Sequence, residues 1–339
     1  MKYVPFLKLK QGELGAIKFL APEICSDVKP YHLFLNDNNE NRVGEYLDSL
    51  LNPLSKAYAS KDMSFFADFT GFTDYQIIHV CELLRERDFD FTYVINNLNI
   101  DLETATYLKE ANLYGNGLAL KIDATAELNM AEMNSRIKKI MSFFTIAPNQ
   151  IDMILDFGYI PMENLGLYIN MFETLQKGLD SFLEFRNVII LAGSFPRDMN
   201  GIAVNTIHYL PMLELRLFNQ LKKMSNRELV YGDFGNIHPV INTEPVTFQG
   251  SCSIKYTVSS QFLIFRGTIP GRVPEGTGQY VQKCKLLVAS NEYCGEDFSY
   301  GDREIALYAN DLKKGNGSST TWITNTLNHH IAKIISDLD

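Results

Sequence analysis

The feature that most constrains the fold of this chain is a short apolar segment that ends at a glycine or a polar residue and recurs through the first 245 residues. Residues 228–239, ELVYGDFGNIHP, show the pattern most fully, because the apolar run 229–231 stops at Gly232 and the carboxylate of Asp233 follows. A buried parallel strand ends in this way when the loop after it holds functional groups. The recurrence predicts a parallel sheet with helices between its strands.

The pattern predicts eight strands, each followed by a helix or by a loop that leads to one, at a spacing of about 25–35 residues. Alternating strands and helices pair in parallel with right-handed crossovers. Eight such units across about 250 residues match a (β/α)8 TIM-like barrel, and an open doubly wound parallel sheet is the alternative fold. The predicted strands are residues 3–10, 29–35, 63–69, 91–95, 117–122, 150–156, 187–192 and 228–231.

The remainder of the chain departs from this pattern. Residues 251–258 and 261–267 alternate apolar and polar side chains around a two-serine turn, which predicts a β-hairpin. A closing helix is predicted within 322–338. We therefore expect a barrel over 1–245 and a C-terminal hairpin and helix elaboration over 246–339, packed on the barrel as one structural unit.

Composition excludes several classes of protein. The chain has 339 residues, of which 46% are hydrophobic and 21% are charged, as in ordinary soluble domains. It contains neither an apolar run long enough to span a membrane nor a signal peptide, so we expect a cytoplasmic protein without a membrane partner. Five dispersed cysteines without a CxxC motif indicate reduced thiols rather than structural zinc. The net charge of −9 argues against non-specific binding to nucleic acid.

The ends of the predicted strands carry most of the candidate functional residues. If the strands form a barrel, these side chains meet at one rim, where acids and lysines suit acid–base chemistry, a divalent metal, or a phosphate or carboxylate ligand. Salt bridges and loop caps are the structural alternative. The strand-end residues are Lys8, Lys10, Asp68, Asn96, Lys121, Asp123, Asp156, Ser194 and Asp233.

Lys121 is the most informative of these residues, because it lies in an otherwise buried strand. A buried lysine must be paired or have a lowered pKa. An ion pair with Asp123 or Asp156 is the expected arrangement, ahead of a Schiff-base role.

Histidine supplies the other candidate acid–base groups. His238 follows the last predicted barrel strand. His329 and His330 are adjacent, and adjacent side chains on a helix or strand cannot face one point, so they do not form a shared metal clasp. One of them is instead expected to reach the rim as an acid–base group or a hydrogen-bond donor.

Two arginines and one glutamate complete the polar candidates. A helix is predicted over 209–223, on which Glu214 and Arg216 diverge and do not pair. Arg216 or Arg266 is suited to bind an anion through its guanidinium fork. The motifs GxGxxG, GxxxxGK[ST], GxSxG and HExxH do not occur, which argues against dinucleotide oxidoreductases, P-loop NTPases, serine hydrolases and zincins.

Several segments, in order and across nearly the whole chain, resemble the Beta protein family of phages and prophages. They are YVPFLKLKQGE, LDFG, GSFP, LELRLF, YGDFGNIHP, SIKYT, LIFRG, DFSYGDREI and NHH. The chain departs from the family at Phe265, where a tryptophan is expected before Arg266 and Gly267. The resemblance implies a cytoplasmic protein of phage, satellite or prophage loci, associated with the exclusion of competing phages. It implies no catalytic residues.

The matching positions extend the set of candidate site residues and imply that the C-terminal elaboration closes over the barrel mouth. Asp156, Asp233 and His238 are the candidate catalytic residues. The candidate ligand-binding residues are Lys10, Gln11, Glu13, Asp68, Lys121, Asp123, Ser194, Glu214, Arg216, Lys255, Tyr256, Arg266, Asp302, His329 and His330.

Two functions are expected to compete. In the first, the chain is a phage-exclusion component whose barrel mouth binds a small ligand, a nucleotide or another protein of the same defence locus. In the second, it is a metal-assisted phosphoester hydrolase that acts from the acidic rim with Mg²⁺ as its candidate cofactor. The residues assigned to the hydrolase are Asp68, Asp123, Asp156, Asp233 and His238.

Overall fold

Parallel strands close into a barrel in a computed structural model of the chain, which describes residues 1–35, 43–112, 117–127, 129–161, 165–240 and 250–338. In chain order the strands are β1 Tyr3–Lys8, β2 Tyr31–Leu33, β3 Phe65–Asp68, β4 Phe91–Asn96, β5 Leu118–Asp123, β6 Ile151–Tyr159, β7 Asn187–Gly193, β8 Ile207–Pro211, β9 Val230–Asp233, β10 Ile254–Val258 and β11 Gln261–Phe265. The barrel order is β1-β2-β3-β4-β5-β6-β7-β9, and β9 pairs with β1. The predicted TIM-like barrel is confirmed, and the open sheet is excluded.

Helices surround the barrel on its outer face. No helix among the described residues is both long and apolar enough to cross a lipid bilayer. The helices are α1 Gln11–Lys18, α2 Pro22–Cys25, α3 Val43–Tyr58, α4 Asp74–Glu86, α5 Leu102–Glu110, α6 Met130–Phe144, α7 Leu165–Gly178, α8 Leu213–Met224, α9 Gln279–Val288, α10 Tyr300–Ala309 and α11 Ser319–Leu338.

The barrel interior is an apolar core that separates two polar ends. Side chains alternate between the two faces of a strand, so Val4, Phe6, Phe66 and Ile154 point inward while their neighbours pack against the helices. The N-terminal end is closed by Asp152, which is fully buried. Polar residues at this end of a barrel usually serve stability.

The partners of Asp152 show how this end is closed. Its two carboxylate oxygens accept hydrogen bonds from the guanidinium of Arg186 at 2.8 and 2.6 Å, and one also accepts from Asn187 Nδ2 at 2.7 Å. The Lys29 Nζ lies 3.7 Å away and donates to Thr92 Oγ1. The opposite end, where the strands finish, is therefore the end that can receive a ligand.

A second sheet lies beside the barrel, with the antiparallel order β10-β11-β8. The predicted hairpin is confirmed as β10 and β11. The predicted helix 209–223 is wrong at its start, because Ile207–Pro211 pairs with β11 and the helix begins only at Leu213. The sheet thus takes one strand from the connection between β7 and α8. One face, with Phe262 and Ile264, joins the core outside the barrel wall, and the other face packs on α9, α10 and α11.

Helix α11 packs closely against α1 and α10 because glycines line these contacts. A Cβ on Gly12 would lie 2.7 Å from Ile323 Cγ2, and one on Gly15 would lie 2.4 Å from Thr324 Oγ1. A Cβ on Gly301, in α10, would lie 2.0 Å from the backbone oxygen of Asn325. Backbone cannot yield to such contacts as a flexible side chain can, so Gly301 fixes the distance between α10 and α11.

We expect Gly301→Ala to lower the free energy of unfolding by about 1–3 kcal/mol, because the added methyl group forces α10 away from α11. Chemical denaturation measures this change. Gly166→Ala is the matched control, since Gly166 is exposed in α7 and a Cβ there meets nothing within 4 Å. Equal effects of the two substitutions would contradict the close packing.

Candidate functional site

Polar side chains from several strands meet inside the C-terminal end of the barrel, here called the barrel mouth. Asp68, Lys121 and Asp156 alternate with interior residues of β3, β5 and β6 and so point inward. The Lys121 Nζ lies 3.7 Å from Asp68 Oδ2 and 3.6 Å from Asp156 Oδ2, and its side chain is 18% exposed. The same amine lies 5.7 Å and 5.4 Å from the ring centroids of Phe6 and Tyr31. Lys121 therefore forms an ion pair that two carboxylates share.

The amide of Asn96 presents an acceptor without a donor at this mouth. Asp68 is buried and accepts from the Tyr31 hydroxyl, the Thr70 hydroxyl at 2.6 Å and Asn96 Nδ2 at 2.7 Å. Asn96 Nδ2 also donates to Thr70 Oγ1 at 2.9 Å, which fixes the orientation of the amide. Within the described part of the chain, Asn96 Oδ1 is buried and receives no hydrogen bond. A buried acceptor of this kind is stabilised by any donor that reaches it.

Asp156 and Asp123 differ in their surroundings although they pair across neighbouring strands. Burial raises the pKa of Asp156, and the positive charge of Lys121 opposes the rise. Asp156 Oδ1 also accepts from the Gly158 amide at 2.9 Å. Asp123 is exposed and accepts from the Thr125 amide and hydroxyl at 2.8 and 2.6 Å. Lys121 thus pairs with Asp156, as expected, and with Asp68 in place of Asp123.

Asp233 does not reach the barrel mouth, which corrects the prediction that all the strand-end acids share one pocket. Val230 points into the barrel, so Asp233, an odd number of residues away, points outward. Its buried carboxylate accepts from the Tyr3 hydroxyl at 2.5 Å, the Gly235 amide at 2.8 Å and His330 Nε2 at 3.0 Å. A ligand cannot contact this carboxylate in the present arrangement.

His330 joins the barrel wall to the second sheet. Its Nε2 donates to Asp233, and its Nδ1 accepts from the hydroxyl of Thr257 in β10 at 2.7 Å. The ring is fully buried, and each of its nitrogens has a hydrogen-bond partner. Neither His330 nor Asp233 extends toward the mouth.

His329 forms a separate buried pair with Asp302, the third residue of α10. Its Nδ1 lies 2.7 Å from Asp302 Oδ2, and its Nε2 lies 2.7 Å from the Thr257 carbonyl oxygen. Both ring nitrogens of this buried histidine therefore face an oxygen atom that accepts hydrogen bonds. Asp302 also accepts from the Tyr256 hydroxyl at 2.6 Å and from Ser299 Oγ at 2.5 Å. The two adjacent histidines therefore serve different carboxylates, as their geometry on a helix requires.

Glu214 is a buried acid with no good hydrogen bond. It lies in the first turn of α8, 1% exposed, and burial raises its pKa to about 8, with a further contribution from the negative charge of Asp233. Ser194 is near enough to oppose this rise, but its hydroxyl already donates to Pro211 O. Among the described residues, neither Glu214 oxygen nor the buried Tyr231 hydroxyl has a partner of good geometry. The protein therefore holds Glu214 as a neutral carboxylic acid near pH 7.

Lys255 and His238 contact the same two loops beside the mouth. The Lys255 Nζ donates to Asn236 O at 2.9 Å and lies 4.3 Å from the Phe195 ring centroid, and desolvation lowers its pKa to about 8. His238 Nδ1 donates to Phe195 O at 2.9 Å, and its ring packs on Tyr159. These contacts fasten the loops after β7 and β9 to β10.

The remaining predicted residues lie apart from the mouth. Lys10 is exposed and precedes α1, and Gln11 borders a cavity outside the barrel. Glu13 is buried, and burial raises its pKa against the opposing charge of Lys10. Arg216 is exposed on α8, on the side opposite buried Glu214, so the predicted divergence of these two side chains is confirmed.

Ser194 and Arg266 have structural contacts. Ser194 Oγ accepts from the amide of Leu213, the first residue of α8, at 3.1 Å. The guanidinium of Arg266 donates to Ile202 O, while its backbone pairs with Asn205 and Thr206 beside β8. Neither residue is directed at the barrel mouth by these contacts.

A metal site is not assembled in the described part of the chain, where no group of three or more His, Cys, Asp or Glu side chains is positioned to hold an ion.

Sequence reasoning missed the residues that hydrogen-bond to the buried acids and histidines, namely Tyr3, Tyr31 and Thr257. Their signal was weak, because a tyrosine or threonine in a buried strand resembles ordinary core.

Comparison with known proteins gives a family model and distant structural similarities. The model of the Beta protein family matches residues 3–336. No curated protein matches the chain significantly.

Three solved structures resemble the chain at low identity. The N-terminal domain of a provisionally named aldolase from Bacteroides vulgatus is 13% identical with a TM-score of 0.38, over 99% of this chain and 96% of that one. PhdJ bound to a substrate intermediate is 10% identical with a TM-score of 0.31, over 69% of this chain and 59% of that one. The carboxyl transferase domain of Rhizobium etli pyruvate carboxylase is 9% identical with a TM-score of 0.28, over 65% of this chain and 42% of that one. The chain thus spans less than two thirds of the last two, and similarities this distant carry no inference about activity.

We expect Glu214→Gln to change how stability depends on pH. In the wild type the folded-state pKa of about 8 lies above the ordinary value of 4.5, so the folded state holds a proton that the unfolded state has lost between these pH values. Wild-type stability therefore falls as pH rises through this window, by roughly 1 kcal/mol per pH unit. Glutamine cannot ionise, so the variant gains stability relative to the wild type from pH 5 to pH 8.

Urea unfolding at several pH values measures this difference. Glu228→Gln is the control, since Glu228 is exposed and is expected to leave the profile unchanged. Parallel wild-type and Glu214→Gln profiles would show that Glu214 is not held neutral.

We expect Asp302→Asn to cost about 3–5 kcal/mol of unfolding free energy, because breaking a buried pair by removing one partner leaves His329 without its carboxylate. Guanidinium unfolding measures the loss. Asp311→Asn is the control, because Asp311 forms an exposed pair with Lys285 and such pairs contribute at most about 1 kcal/mol. A loss below about 1 kcal/mol in Asp302→Asn would argue against a buried ion pair.

Proposed function

Because the chain belongs to the Beta protein family, we propose that it is a phage-exclusion component whose barrel mouth binds a small ligand rich in hydrogen-bond donors. The family's association with phage exclusion supports the first half of this proposal. Asn96 Oδ1 supports the second half, since it is buried at the mouth without a donor among the described residues. The expected location is the cytoplasm, where an incoming phage genome acts.

The charges of the mouth favour a neutral or cationic ligand. Lys121 is already neutralised by Asp68 and Asp156, and Asp123 adds a further exposed carboxylate. This surface repels a phosphate group, which disfavours a nucleotide at the mouth itself. A lysine or amide from another protein of the same locus also supplies donors, so a partner segment remains within the proposal.

The metal-assisted phosphoester hydrolase remains a prediction that no observation favours. Its acids are divided by the barrel wall, since Asp233 points outward and Asp156 inward. The described residues also lack a metal-binding group of three or more ligands.

Thermal-shift measurements with amines, sugars and nucleosides test the proposed mouth ligand. We expect at least one class to raise the melting temperature of the wild type and to bind about tenfold more weakly to Asp156→Asn, which corresponds to about 1.4 kcal/mol less stabilisation at saturating ligand. Asp180→Asn, an exposed acid that pairs with Lys138 on α6, is the matched control. Cells that express Asp156→Asn should also be less protected against plaque formation by phage than cells that express the wild type or Asp180→Asn.

Four outcomes would decide against this function. A wild type that no compound stabilises, or equal behaviour of the two variants, would remove the ligand from the mouth. Stabilisation by Mg²⁺ or Mn²⁺ that Asp156→Asn abolishes would instead support the hydrolase. Full phage protection by Asp156→Asn would separate the mouth from exclusion.

A further inference from the structure

A cavity of about 690 Å³ lies outside the barrel wall, between α1, α3, the start of α10 and the first turns of α11. None of Asp68, Lys121 and Asp156 lines it, so it is distinct from the barrel mouth. Its volume falls within the range of about 300–1,000 Å³ that is typical of small-molecule sites. Gln11, which was predicted to contact a ligand, lies on its edge.

The charge of this cavity is opposite to that of the whole protein. Lys18 and Lys56 are the charged side chains among its described lining residues, which include no Asp or Glu. The chain as a whole has a net charge of −9. A positive pocket on an acidic protein attracts a small anion while the remaining surface repels it.

A buried donor in the cavity wall lacks an acceptor. Asn325 lines the cavity and is 1% exposed, and within the described part of the chain its Nδ2 makes no hydrogen bond. Such an unpaired group carries a desolvation cost that an oxygen atom of a ligand would offset. Asn325 lies in the second turn of α11, whose positive N-terminal end also favours an anion. Ser318, Thr320 and Thr321 add hydroxyl groups around this end.

The cavity also has a flat aromatic wall. The rings of Phe19 and Tyr300 stack with centroids 3.9 Å apart and an interplanar angle of 10°. Phe19 remains 37% exposed, and Leu14 and Pro53 extend the apolar surface. A planar ring that stacks on such a surface gains burial of both partners.

Positive charge, an unpaired donor, hydroxyl groups and a flat apolar wall together match one class of ligand. We propose that this cavity binds a nucleoside monophosphate, with Lys18 and Lys56 neutralising the phosphate and the Phe19–Tyr300 pair supporting the base. The site is separate from the barrel mouth, whose carboxylates select the opposite charge. A single chain therefore carries two ligand sites of different polarity.

Isothermal titration of the full chain with AMP, GMP, CMP and UMP tests this site. We expect at least one of the four to bind, and the corresponding nucleoside, which lacks the phosphate, to bind at least tenfold more weakly. The variant Lys18→Met/Lys56→Met should weaken the nucleotide at least tenfold. Lys138→Met/Lys139→Met removes the same charge from exposed positions on α6 and should leave binding unchanged.

A second variant separates binding from stability. Asn325→Leu removes the unpaired amide at similar volume, so it should weaken the nucleotide while the melting temperature stays equal or rises. Binding of none of the four nucleotides at millimolar concentration overturns the proposal. Equal affinity for nucleoside and nucleotide, equal losses in the two lysine variants, or unchanged binding in Asn325→Leu also overturns it.

Discussion

Whether a side chain near a strand end points into the barrel or out toward the helices decides which groups that side chain can contact. Inward positions gather Asp68, Lys121 and Asp156 around one amine, while the outward position of Asp233 sends its carboxylate to α11. A shift of one residue in strand pairing would exchange these two sets. Closure of the barrel through the pairing of β9 with β1 prevents such a shift, because every strand then has two neighbours that fix its register.

Two buried carboxylates, Asp233 and Asp302, join the barrel and α10 to α11. Successive positions on a helix are about 100° apart, so His330 reaches Asp233 on the barrel while His329 reaches Asp302 on α10. Buried polar contacts of this kind stabilise less than apolar packing would, but each has one acceptable arrangement. The contacts therefore define how the second sheet and its helices sit on the barrel.

The barrel was predictable from sequence because near-continuous apolar strands that alternate with helices admit few architectures. Strand β8 was not, since its pairing partner lies about fifty residues further along the chain and its sequence resembles the start of a helix. Asp68 and Asp156 could be predicted at the mouth because they lie near strand ends. Counting alternate residues from Val230 would also have predicted that Asp233 points outward. The pairing of His329 with Asp302 and the unpaired amide of Asn325 depend on contacts between distant segments, for which the sequence carries no local signal.

The contacts between α1 and α11 have a consequence for biosynthesis. Thr324 Oγ1 donates to Gly12 O and Asn328 Nδ2 donates to Ala16 O, in each case across 312 positions of sequence. Because of this separation, α1 leaves the ribosome well before the surface that covers it. Contacts of such long range close slowly and leave apolar surface open until they form. The apolar surface of α1 is therefore open to aggregation in the nascent chain until α11 has been released.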